Sequence, residues 1–379
     1  MCGSPAGERR ALDGQVEERG ILASDSTQHA SRVGGFPADD DANQAGSFSF
    51  EAMPSAFSYE EQIDRLESRG LVVGDKESAI RILSEVNYYR LRGYWLTLEE
   101  DRDCFFDGTT FEAIVDVYSL DGELRDWLWR AIEPVEVKLR TSFAYRTGFA
   151  LGPRGYEDGQ HYQSKEAHER SMASYRREVS RAQRDGVPCV CHNLGKYGAL
   201  PVWAAVEVMS MGTLSRLYGN LKSSSHAGRG GDIKAEIAGD FGMKPGYLEG
   251  WLRHLTYVRN ICAHHNRFYN RITTVRPKLL RKDAAFAKGG KQFMTFVVLE
   301  RICERSWPDR WAEMVGQLDA LIKSHQAVDI TRIGFPDGWR EVLTLRLVGQ
   351  KGELGRNGWP SRAHIQPRCA LVTRQPPER

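Results

Sequence analysis

The sequence predicts an all-α protein, and three observations carry that prediction. Apolar residues recur at helical spacing over most of residues 53–347, no run alternates apolar and polar residues as a half-buried strand would, and no internal repeat marks a solenoid. With 41% hydrophobic and 27% charged residues among 379, the chain can bury a sizeable core as one large domain or two smaller ones. The expected architecture is a helical bundle.

Taken in order, residues 1–52 are rich in Gly, Ala, Ser, Asp and Gln and hold few large apolar side chains. Such a stretch buries too little surface to offset chain entropy, so it is read as a disordered N-terminal extension. Patterned sequence begins beside Met53, which raises the expectation that Met53 is the biological start, a point that mass spectrometry of the native N-terminus decides. Ile63 and Leu66 before Gly70, then Ile80, Leu83 and Val86, predict two short helices joined by LVVGDK, with Gly70 as the stop of the first. Leu120, Leu124, Trp127, Ala131, Val135 and Leu139 form one stripe of a long amphipathic helix that Pro134 is expected to kink. SKEAHERSMASYRREVSRAQRDG reads as a solvated helix and GVPCVCHNLGKYGALP as the loop after it. Four further helical segments follow: VWAAVEVMSMGTLSRLYGNL, IKAEIAGDFG, YLEGWLRHLTYVRNICAHHNRFYNR and FVVLERICERSWPDRWAEMVGQLDALI. Residues 348–379, rich in Gly, Pro and Arg, read as a flexible tail.

Composition narrows the function. The 52 Lys+Arg balance 50 Asp+Glu, a formal charge of +2, so any nucleic-acid contact rests on a local patch. No run approaches the roughly 18 uninterrupted apolar residues of a membrane helix, and the N-terminus is charged where a signal peptide would be apolar. Seven scattered Cys make no disulfide framework, and a reducing cytoplasm is the expected location. The signatures of P-loop nucleotide binding, dinucleotide binding and H-E-x-x-H zinc chemistry are missing from the sequence, and no cofactor is expected. Cys189, Cys191 and His192 offer soft ligands without a second pair at usable spacing, so no metal is expected there.

The stretch that carries chemistry is RNICAHHNR, residues 259–267, within a helix opening near Tyr247. At about 100° per residue, Leu248, Leu252, Leu255, Val258 and Cys262 form an apolar face, and Asn260, His264, Arg267 and Arg271 a second ridge. Arg259 falls within the apolar face, roughly 140° from His264, so length, a kink or a partner chain is needed to bring the two together. An imidazole can move the proton of an RNA 2′-OH, and guanidinium groups can neutralise charge growing on a phosphoryl group, with no metal required. A plainer reading of the same residues has Arg259 tethered by Glu133 or Glu136 and His264 satisfying a carbonyl. His265 admits a supporting role or a place on a helix face, and Arg267 and Arg271 admit phosphate contacts or surface ion pairs. Phe268, Tyr269, Tyr88, Tyr89 and Tyr94 are read first as packing, with base stacking as the alternative.

RNICAHHNRFYNR resembles the Arg-Asn-x-x-Ala-His-His-x-Arg signature of the Abi-like family, bacterial abortive-infection proteins within the HEPN superfamily of helical ribonucleases. YEEQIDRLESRGL with LSEVNYYRLRGYWL, VYSLDGELRDWLWRAIEPVEVKLRT, LPVWAAVEVMSMGTLSRLY and IGFPDGW are similar to its other segments in matching order, over about residues 55–345. The resemblance implies a HEPN-like helical domain over 53–347 and a metal-independent endoribonuclease of phage defence, toxic when active. It implies a catalytic pair of Arg259 and His264 assisted by Asn260, with His265, Arg267 and Arg271 binding RNA. It also implies a homodimer that places two motifs in one cleft, and an antitoxin or phage-derived trigger as a further partner. Gly122 stands where relatives often carry an Arg after the Asp of the central helix, so the resemblance assigns no auxiliary role to that position. The alternative from another class is a non-catalytic RNA-binding or infection-sensing interaction module.

Overall fold

Helices account for nearly all of the regular structure in the computed structural model, which describes residues 55–223 and 232–344; the expectations for 1–52, Met53 and 348–379 lie outside the described residues. The first helix, α1 (Tyr59–Glu67), opens on a capping box in which Ser58 and Glu61 satisfy each other's backbone N–H groups. It ends before Gly70, whose φ of +91° a side chain would resist. Next come α2 (Lys76–Glu85), capped by Asp75, and α3 (Tyr88–Trp95), capped by Asn87. A two-stranded antiparallel ribbon, β1 (Glu99–Asp101) and β2 (Cys104–Phe105), follows and was not visible as an alternating run because its strands are three and two residues long.

The organising element is α4 (Phe111–Leu151), 41 residues long. The stripe read from Leu120 to Leu139 is buried along it, and Trp127 donates from Nε1 to the Met314 carbonyl at 2.9 Å. Each such fully buried large side chain contributes on the order of 1.5–3 kcal/mol. The helix continues through Pro134. Proline has no N–H for the Arg130 carbonyl, and that carbonyl instead accepts from the Arg310 guanidinium at 3.3 Å.

Around α4 pack α5 (Lys165–Arg184), α6 (Pro188–Tyr197), α7 (Val202–Val208), α8 (Met211–Asn220), α9 (Ile233–Asp240), α10 (Pro245–Ala263), α11 (Phe293–Ser306), α12 (Pro308–Ser324) and α13 (Trp339–Thr344). Four expectations are corrected. The stretch read as a loop after α5 holds α6: Pro188 is its first residue and Gly198 its left-handed end, so the two residues that suggested a loop punctuate a helix. The segment from Val202 to Asn220 is two helices, broken where Ser210 caps α8, and the last long segment is broken at Trp307 before Pro308. The motif helix is shorter than its periodicity implied, as the next section describes. No helix among the described residues is long and apolar enough to cross a membrane.

Candidate functional site

The motif sits where α10 ends. Pro245 starts this helix, and Leu248, Trp251, Leu252, Leu255, Val258, Ile261 and Cys262 bury one face of it. His254, also buried, donates and accepts between the Val275 carbonyl (2.7 Å) and the Thr295 hydroxyl (2.9 Å), and burial lowers its pKa to about 4. The helix closes with paired reverse bonds: the His265 N–H reaches the Cys262 carbonyl at 3.1 Å and the Asn266 N–H the Ile261 carbonyl at 2.9 Å. His265 supplies the left-handed residue this closure needs, at φ +53°, a place usually filled by Gly.

This closure corrects the ridge read from spacing. His264 is the cap of α10 and stands exposed with Asn260, His265 and Asn266, while Arg267 and Arg271 lie beyond the helix. Arg267 folds back so that one terminal nitrogen donates to the carbonyls of Tyr269 and Asn270, both at 3.3 Å. Its stem lies against Gly93, where a Cβ would come within 3.1 Å of the Arg267 Nε. Arg271 is half-buried, and its backbone carbonyl accepts from the Gln292 amide.

Arg259 points toward α4. Its guanidinium carbon lies 4.8 Å from the Trp129 ring centre and its Nε 3.7 Å from Glu136, which also takes the Arg140 guanidinium at 2.6 Å. Of the two carboxylates considered for this tether, Glu136 is the one used. The buried Nε makes no hydrogen bond to a described residue, and a third of the side chain remains exposed. No hydrogen bond or ion pair joins Arg259 to His264, and neither the His264 nor the His265 imidazole bonds a described residue.

What holds the motif in place comes from other helices. Asp121 of α4, fully buried, accepts from the backbone N–H groups of Phe268 (3.0 Å) and Tyr269 (2.6 Å), from the Tyr94 hydroxyl (2.8 Å) and from Arg125. Burial raises the Asp121 carboxyl from its usual range, opposed by Arg125 and these hydrogen bonds. On the other side, Arg90 of α3 donates to the His265 carbonyl at 2.6 Å. Sequence reasoning missed Asp121, Arg125, Arg90 and Trp129; the one available signal was an Asp–Arg pair four residues apart beside the apolar stripe. Phe268, Tyr269 and Tyr94 are core residues, Tyr88 is half-buried and Tyr89 is exposed. Cys262 is buried and its thiol is pushed up to about 12, which keeps it protonated. Cys189 and Cys191 are exposed on α6, and among the described residues no group of three or more His, Cys, Asp or Glu is placed to hold a metal ion.

Residues 81–270, half of the chain, match the family described as Abi-like protein. The matched span runs from α2 through the turn after α10 and so includes Asp121, Arg125, Arg259 and His264. No curated protein and no solved structure matches the chain.

Proposed function

Because the chain belongs to the family of Abi-like proteins, we propose that it serves abortive-infection phage defence in the cytoplasm as a metal-independent endoribonuclease of the HEPN type. The observation that carries this reading is an exposed imidazole, His264, unbonded among the described residues and just over one turn beyond an arginine whose guanidinium, stacked on Trp129 beside Glu136, keeps a third of its side chain exposed. In the reaction His264 takes the proton of an RNA 2′-OH, the oxygen attacks the adjacent phosphorus, and the P–O5′ bond breaks as the leaving oxygen gains a proton. Arg259 neutralises the phosphoryl oxygens while Asn260 positions the pair. The products carry 2′,3′-cyclic phosphate and 5′-OH ends.

Arg259 and His264 serve one phosphate when two copies pair, the His264 of one chain meeting the Arg259 of the other. Surface for that pairing adjoins Arg259: Glu136 links it to Arg140, which lines an apolar groove with the exposed Tyr145, Phe149 and Trp203. His265, Arg267 and Arg271 contribute further RNA contacts, and a phage-derived trigger or an antitoxin governs the toxicity.

The test is purified protein with end-labelled RNA in EDTA. Cleavage is expected from the wild type and to fall at least about a hundredfold in Arg259→Ala and in His264→Ala, in line with general acid–base contributions. Cleavage that persists in both variants removes the mechanism. A second reading, a non-catalytic RNA-binding or infection-sensing module, is favoured by one observation, that no described group orients the His264 imidazole. It predicts salt-sensitive RNA binding without cleavage and unchanged growth arrest in His264→Ala.

A further inference from the structure

Behind the motif, on the same helix, lies a cleft of about 520 Å³ between α5, α8 and α10. Arg170, Arg216 and Arg253 line it, one from each helix, over small or polar side chains that include Ser215 and Thr256. None of the three guanidinium groups has an ion-pair partner among the described residues. The carboxylate that shares the cleft, Glu249, is already neutralised by the buried Lys234, whose ammonium lies 2.7 Å from it and 2.5 Å from the Gly219 carbonyl. Arg216 donates to the Thr213 hydroxyl at 3.1 Å, and that hydroxyl donates in turn to the Glu178 carboxylate at 3.0 Å. Desolvation lowers the Arg216 pKa from its ordinary value against the pull of Glu178, the sign of a cation that its surroundings compensate only in part. In a protein whose formal charge is only +2, three such groups around one cleft form the local cationic patch that a balanced composition requires for contact with a polyanion.

The position of the cleft identifies its occupant. Arg253, Thr256 and Asn260 follow one another at intervals of three and four residues on one side of α10, and His264, the cap of that helix, lies four residues beyond Asn260. At 1.5 Å per residue Arg253 precedes His264 by about 16 Å along the axis, a span that a few nucleotides of single strand cover. A free phosphate needs convergent donors in a closed pocket; exposed arginines on three helices, opening along a ridge toward His264, suit a chain of phosphates instead. Building on the nuclease reading, we infer that this cleft is a backbone-binding track for single-stranded RNA, with Arg170, Arg216 and Arg253 holding phosphates a few nucleotides from the bond cleaved at His264.

The experiment uses full-length protein carrying His264→Ala, so that bound RNA stays intact, and measures anisotropy of a fluorescent single-stranded RNA dodecamer between 50 and 200 mM salt. Changing Arg170, Arg216 and Arg253 together to Ala is expected to weaken binding at least tenfold and to reduce the slope of log K against log salt by about two, from roughly 0.7 per phosphate contact on single strands. The corresponding triple change to Lys keeps the charge and is expected to restore most of that slope. Unaltered affinity and slope in the Ala variant, with its helicity unchanged, overturns the track. So does arginine-dependent binding of inorganic phosphate or AMP in the cleft while dodecamer binding ignores the same changes. Cleavage by the otherwise wild-type chain is read in parallel. Cleft-dependent binding without cleavage upholds the track and removes the nuclease reading; His264-dependent cleavage with cleft-independent binding does the reverse.

Discussion

His265 occupies a left-handed position that costs an L-residue roughly 1–2 kcal/mol, and nothing in its side-chain contacts repays the cost. Strain of this kind, beside a candidate catalytic His, points to use of the imidazole. His265→Gly is therefore expected to hold or raise the unfolding midpoint in urea, by up to about 1 kcal/mol, while weakening RNA binding. Lower stability would show that the imidazole supports the fold instead. His254 gives a pH prediction. Its folded pKa of about 4 lies below the unfolded value, so its contribution to stability is complete above pH 6.5 and is lost as pH falls from there toward 4. The wild type is expected to lose about 2 kcal/mol between pH 7 and pH 5 through this residue, a loss missing from a His254→Asn variant that still folds. The roles of Arg259, Asn260 and His264 came from the family resemblance, and spacing contributed only the reading that Arg259 and His264 face different sides of a helix. Spacing hid the end of α10, because a His in the position where Gly usually announces a stop leaves the periodic pattern running on, and Arg267 and Arg271 were assigned to a ridge that does not exist.

Helix α4 links the core to the motif, and its middle was legible because six apolar residues keep one phase from Leu120 to Leu139, while its ends at Phe111 and Leu151 were not. The roles of its polar residues were not, since Asp121 acquires its meaning from backbone groups 147 and 148 positions away. Replacing Asp121 with Asn removes the charge that balances Arg125 in a buried place. The variant is expected to lose roughly 3–5 kcal/mol and, where it remains folded, to lose RNA cleavage together with the turn that positions His264. Pro134→Ala restores the missing backbone hydrogen bond to Arg130 and is expected to raise the thermal midpoint by the equivalent of about 1–3 kcal/mol. An unchanged midpoint would mean that the Arg310 contact already replaces that bond. The short helix α6 shows the opposite limit of sequence reading: ten residues framed by Pro188 and Gly198, with Val190 alone buried, carry too little periodicity to outweigh two residues that suggest a loop.

Across the bundle, the buried charges and the exposed aromatics are segregated: Asp121 and Arg125 lie inside, while Tyr145, Phe149 and Trp203 face outward around one groove. If two copies pair there, sedimentation of the wild type gives twice the mass of one chain at micromolar concentration. Phe149→Glu is then expected to yield monomers with wild-type helicity and at least a tenfold loss of cleavage. A monomeric and fully active wild type would sink the shared-site arrangement.

The hydrogen bonds from Phe268 and Tyr269 to Asp121 join two stretches that leave the ribosome far apart in time. A nascent chain that has emitted α4 but not yet the turn after α10 has no anchored His264 and is harmless to the ribosome making it. For a protein proposed to attack RNA, that ordering is a safeguard built into chain connectivity: the damaging chemistry arrives only once the turn after α10 has followed α4 out of the ribosome.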